Sequence, residues 1–148
     1  MGSKLIFAPE SPQISEYFKE IETSLINAEN LDEEALYNKY CIRKPIIRYT
    51  KTDIIHDAEG LVYNIPVDGN IDLLEYRPST LLYSHIKTYM KNGVISYTIP
   101  SLSSDKKSLV TSRHQSILQQ NVDNWSREVD VFNRELREVY IPKLLKIN

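Results

Sequence analysis

Three histidines and one cysteine are the side chains around which acid–base, nucleophilic or metal chemistry would have to be built. His56, His85 and His114 lie far apart, and none stands at a metal-ligand spacing from Cys41 or from another histidine. Each reads as a structural histidine, so no metal and no cofactor is expected. There is no nucleophile elbow, glycine-rich phosphate loop or dinucleotide fingerprint, and four glycines leave little backbone from which to build one. Asp105-Lys106-Lys107 contains the acid-x-lysine triplet of metal-dependent nucleases, but no acid precedes it on a strand at a suitable distance. An acid at a helix start is ordinary end-capping. Cys41 has no evident histidine partner and reads as a buried thiol. The one catalytic grouping that spacing leaves standing would join residues distant in sequence, such as Asp53, His85 and Ser79.

Binding chemistry is easier to place. Arg77-Pro78-Ser79-Thr80 is a loop in which the proline pushes Arg77 toward extended backbone. A guanidinium is a rigid fork for carboxylate or phosphate, and neighbouring hydroxyls can share the same anion. Arg77, Ser79 and Thr80, with Asp68 in the preceding turn, are therefore the candidate binding residues. The plainer alternative is that Arg77 bonds to backbone carbonyls of its own loop.

The elements that must position these residues follow from periodicity. Ser11 can cap a helix with Pro12 in its first turn, and Ile14, Tyr17, Phe18, Ile21 and Leu25 form one apolar stripe. Asn30 with Glu33 has capping-box spacing and predicts a shorter helix through Leu36 and Tyr40, so the N-terminal helices are placed within 11–40. Pro45 ends that region. Ile46 to Tyr49, Asp53 to His56, Leu61 to Val67, Leu81 to Met90 and Val94 to Ile99 read as strands within 45–100, with turns at Asp57 to Gly60 and at Lys91-Asn92-Gly93. Asn-Gly between two β-prone runs is a strong hairpin signal, because both central residues need positive φ. The expectation is α+β: two N-terminal helices, a mainly antiparallel sheet of four to six strands, and a long C-terminal helix packed on the sheet, all in one domain.

After a linker at 101–104, the long helix is placed at 105–141. Val122, Trp125, Val129, Phe132, Leu136 and Val139 form a heptad-like seam, expected as core beneath the sheet; the alternative is a homodimer interface through Trp125, Val129, Phe132, Leu136 and Val139. Asp123 with Arg127, and Asp130 with Arg134, are spaced for ion pairs on the outer helix face. Pro142 should bend or end the helix near Ile141. The apolar Leu144-Leu145 beyond it suggests a cut at a domain boundary in a longer protein.

Composition sets the remaining bounds. Eighteen bases and 20 acids give a net charge of −2, which supplies no global field for nucleic acid or an anionic membrane, although a local nucleic-acid patch remains compatible. Residues 1–40 are acidic, with eight acids against three bases. A single cysteine allows no internal disulfide, and Met1 to Phe7 is too short for a signal peptide, so a cytoplasmic protein without a membrane span is expected.

Asp68-Gly69, Leu73-Leu74, Arg77-Pro78-Ser79-Thr80 and Phe132-Asn133-Arg134-Glu135-Leu136 together resemble the N-terminal regions of a group of prokaryotic proteins. In those proteins a polar hairpin and a long helix are often followed by a restriction-endonuclease-like nuclease domain. The resemblance spans residues 60–140, with Tyr83-Ser84-His85 and Ile141-Pro142-Lys143 departing from the group's pattern. It implies a non-catalytic accessory or sensing module of a defence-type nuclease, with an attached or separate protein as partner. The alternative expectation is a small acidic inhibitor, an immunity protein or antitoxin, that binds a basic partner.

Overall fold

A computed structural model describes residues 4–102 and 104–147, so the expectations resting on Met1, Gly2 and Ser3 lie outside the described residues. The fold is α+β. Six antiparallel strands form the sheet: β1 (Lys4–Ile6), β2 (Ile46–Ile47), β3 (Asp53–Asp57), β4 (Gly60–Asp68), β5 (Thr88–Lys91) and β6 (Val94–Pro100). Their order is β1-β5-β6-β4-β2, and β3 pairs with β4 on the same edge as β2. The helices are α1 (Ile14–Ile26), α2 (Glu33–Tyr40), α3 (Ser104–Glu135) and α4 (Ile141–Ile147).

The two hairpins form for local reasons. Asn92 (φ 54°) and Gly93 (φ 76°) are both left-handed, as a two-residue turn closing Lys91 onto Val94 requires. At the other, Asp57 Oδ1 accepts the N–H groups of Glu59 and Gly60 at 2.8 and 3.0 Å, so one carboxylate oxygen ties the turn. β2 and β3 are one edge strand interrupted by a 3₁₀ turn at Tyr49–Lys51, which shifts the register against β4. That bulge sends Tyr49 across to α3, where its hydroxyl donates to Gln119 Oε1 at 2.7 Å and burial pushes its pKa up to about 12.

Alternation along β4 and β6 puts Tyr63, Ile65 and Val67 with Ile95, Tyr97 and Ile99 on the inner face, where α3 covers them. Trp125, Val129 and Leu136 are fully buried, and Val122 and Phe132 nearly so. These side chains lie inside the fold, not on a face open to a second chain. Phe18 of α1 stacks on Phe132 with centroids 4.6 Å apart, which places α1 against the same helix. Phe7 takes a left-handed backbone, φ 57°, costly for a bulky residue, and its ring lies 4.7 Å from Trp125.

Several local readings are corrected. The α1 cap is Gln13, without a side-chain bond, because Arg77 takes up the backbone just before it. Asp32, not Asn30, caps α2 by accepting from Ala35 N at 2.9 Å, and Asn30 Oδ1 accepts from Asp32 N one step earlier. The strand expected over Leu81 to Met90 reaches only from Thr88, and Lys4–Ile6 supplies an edge strand that the sequence reading missed. The supposed linker already begins α3 at Ser104, with Ser103 outside the described residues. On the outer helix face, Asp130 pairs with Lys44 at 3.2 Å and Asp123 accepts from Gln119 at 2.8 Å, so neither takes the expected arginine in these contacts.

The end of the helix differs most. Pro142 does not stop it: Leu136–Tyr140 forms a π turn, in which Ile141 N–H reaches back to Leu136 O, and the helix continues to Ile147. The wider turn inserts a residue and shifts the apolar phase. Burial therefore runs from Leu136 to Ile141 and Leu144, while Val139, expected in the seam, is 51 % exposed.

Replacing Trp125 by Ala removes the largest buried side chain, and unfolding free energy should fall by about 3–5 kcal/mol in urea titration. Val139→Ala should change it by less than about 0.5 kcal/mol.

Candidate functional site

Between Tyr76 and Lys87 the chain runs across α3 without repeating structure of its own, so its buried backbone groups need partners from elsewhere. Side chains of α3 supply them. Trp125 Nε1 donates to Tyr76 O at 2.9 Å, Asn124 Nδ2 to Thr80 O at 2.8 Å, and Glu128 Oε2 accepts from Ser79 N at 3.1 Å. Asn121 holds Leu82 from both sides, accepting from its N at 2.9 Å and donating to its O at 3.0 Å. The side chain of Asn121 thus does what a neighbouring strand would do. Asn133 repeats the device on Ile42, at 2.8 and 2.9 Å, and ties the segment after α2 to the same helix.

This strap contains three of the four expected binding residues, and the side chains of Arg77 and Ser79 are already bonded within the chain. Arg77 is half-buried. Its Nε donates to Ser11 O at 2.9 Å, and its backbone bonds to Pro12 and Ile14, so it holds the start of α1. Ser79 Oγ donates to Glu128, and Thr80 contributes its carbonyl to Asn124. Asp68 lies at the end of β4 and pairs with Arg48 of the interrupted edge at 2.5 Å. The plainer reading of Arg77, as a backbone-bonding residue, describes these contacts; the bonds go to the α1 entry, not to its own loop.

The serine and histidine that do meet are ones the sequence did not pair. Ser84 Oγ lies 2.7 Å from His114 Nδ1, and Thr88 Oγ1 lies 3.0 Å from His114 Nε2. His114 is 3 % exposed, and the ring of Tyr97 meets it at 4.3 Å. The hydroxyl pair lines a cavity of about 220 Å³ between β1, the strap and α3, with Phe7, Leu82, Ile86 and Leu118 among its walls. Ser79, by contrast, is given to Glu128, and His85 and Asp53 are exposed on the strap and on β3. The grouping of Asp53, His85 and Ser79 therefore has no support in these contacts. The signal that could have identified His114 is its helical register: it lies seven residues before Asn121 on one face of α3.

Burial lowers the His114 pKa to about 4, so the imidazole is neutral at pH 7. One ring nitrogen then donates and the other accepts, which two hydroxyls can satisfy. A serine nucleophile needs a base that becomes a stabilised imidazolium, and here the third group is a threonine hydroxyl in place of a carboxylate. Among the described residues, no group of three or more His, Cys, Asp or Glu is placed to hold a metal ion. Asp105, Lys106 and Lys107 lie in the first turn of α3, and Cys41, half-buried with a free thiol, ends α2. No described helix is long and apolar enough to cross a membrane.

Because the folded pKa of His114 lies below its unfolded value, the unfolded chain takes up the proton first as pH falls. Stability should be full above about pH 6.5 and decline by on the order of 2 kcal/mol toward pH 4. Urea titrations over that range should show this slope, and His114→Asn should flatten it. Asn121→Ala should cost about 2–4 kcal/mol, since it leaves both backbone groups of Leu82 without that partner. Compared with known proteins, the chain matches no family model, no curated protein and no solved structure.

Proposed function

We propose that the chain is a non-catalytic binding module, an accessory or sensing domain that docks onto a protein and regulates an attached or separate effector of the defence-nuclease kind. The observation that carries this reading is the use to which the polar side chains of α3 are put. His114, Asn121, Asn124, Glu128 and Asn133 all bond to the chain itself, and the one interior imidazole is kept neutral between two hydroxyls. An assembly of that kind holds a shape. It lacks the paired acid and base whose pKa values are pushed apart in a catalytic centre. Arg77 and Ser79 serve this reading as residues that keep the strap in place, presenting Thr80 and Tyr83 at the surface.

A second reading, the acidic inhibitor of a basic partner, is favoured by one specific observation: Glu16, Glu20, Glu29, Asp32 and Glu33 are all exposed on or beside α1 and α2. Their field would speed encounter with a basic surface and fade with salt.

The first reading is tested by assaying the purified chain for hydrolysis of p-nitrophenyl acetate and for cleavage of plasmid DNA with magnesium. The expected result is no turnover that Ser84→Ala or His114→Asn abolishes. Turnover that depends on either residue would assign the 220 Å³ cavity as an active site and overturn the reading.

A further inference from the structure

The geometry points to the free edge of β3 as the docking site for an extended, basic segment of a partner protein, which would add to the sheet as one more strand. The inference rests on the reading of the chain as a binding module. It follows from a contrast between the two edges of the sheet. The β1 edge is three residues long, and its Lys4 is ion-paired with Glu75, so it is short and guarded by a charged side chain. On the other side, β3 bonds to β4 along five residues, Asp53↔Asn64 through Asp57↔Gly60, and all five of its residues are exposed. Ile54 is 49 % exposed on the inner side of the sheet and Ile55 is 51 % exposed on the outer side. A strand has alternate N–H and C=O groups pointing away from its neighbour, so an open edge flanked by apolar side chains is a template for another strand.

Charge selects the occupant. Residues 53–59 carry three acids, Asp53, Asp57 and Glu59, and no Lys or Arg. Alternation puts Asp53, Ile55 and Asp57 on the same face, an acid-x-apolar-x-acid pattern. A second copy of β3 pairing over its full length would set Asp53 opposite Asp57 at both ends, and like charges directly opposed destabilise a ladder. A neutral strand would leave the acids unused. An incoming strand with basic-x-apolar-x-basic alternation instead places a cation opposite each acid and a β-branched side chain opposite Ile55. The hairpin turn already fixes Asp57 through its bonds to Glu59 and Gly60, so that carboxylate is held in place before binding.

The test uses the full chain and a fluorescein-labelled peptide, Gly-Lys-Thr-Val-Thr-Lys-Gly, with a matched peptide carrying Glu for both Lys. Anisotropy should report binding of the basic peptide, weakened by salt. Asp53→Lys should reduce affinity by about tenfold, and Ile55→Thr by less. Amide hydrogen exchange should slow in residues 53–57 on binding. Both substitutions are at exposed positions, and an unchanged circular-dichroism melt checks that each variant is folded. No binding of the basic peptide, equal binding of the acidic one, or protection located away from β3 would each overturn the edge assignment. None of those results bears on the hydrolysis assay, through which the non-catalytic reading stands or fails separately.

Discussion

Trp125 places its ring in the centre of the core and its indole N–H on the Tyr76 carbonyl, and much of the molecule is arranged around that double commitment. An aromatic of this size must be buried, yet its one polar atom must find an acceptor. The acceptor is the first residue of the strap. With Tyr76 fixed there, the chain from 77 to 84 runs along α3 within reach of Asn124, Glu128, Asn121 and His114. Leaving any of those backbone groups dry and unpaired would cost more than an ordinary hydrogen bond contributes. Helix, strap and the entry to α1 are therefore one cooperative unit, since Arg77 continues the bonding to Ser11, Pro12 and Ile14.

The same helix organises its other end by similar means. Asn133 bonds both backbone groups of Ile42, and Arg137 reaches Glu34 at 2.7 Å while lying over the Tyr37 ring at 3.7 Å. The π turn at Leu136–Tyr140 lets the helix pass Pro142 and still return an apolar face to the core through Ile141 and Leu144. A straight helix would have pointed Val139 inward and Ile141 away.

What the fold spends inside it does not offer outside. Among the described residues, no buried side-chain nitrogen or oxygen lacks a partner. On the surface lie the exposed acids of α1 and α2 and a sheet edge whose isoleucines are open to solvent.

The sequence by itself determined the α+β class, the order of elements from α1 onward in outline, the Asn92-Gly93 hairpin and the burial of the seam from Val122 to Leu136. Each of these is a matter of local chemistry: apolar period, turn residues with allowed positive φ, and side-chain volume. Tertiary structure decided the rest. The run from Leu81 to Lys87 has strand-like composition, but it finds no strand beside it, because Asn121 has taken Leu82. Arg77 and Ser79 look like ligands in a list of residues and become fasteners once Ser11 and Glu128 are brought to them. His114 could not be matched to Ser84, thirty residues earlier, because hydrogen bonds between distant elements leave no period in a sequence; they exist only after packing has set the distance.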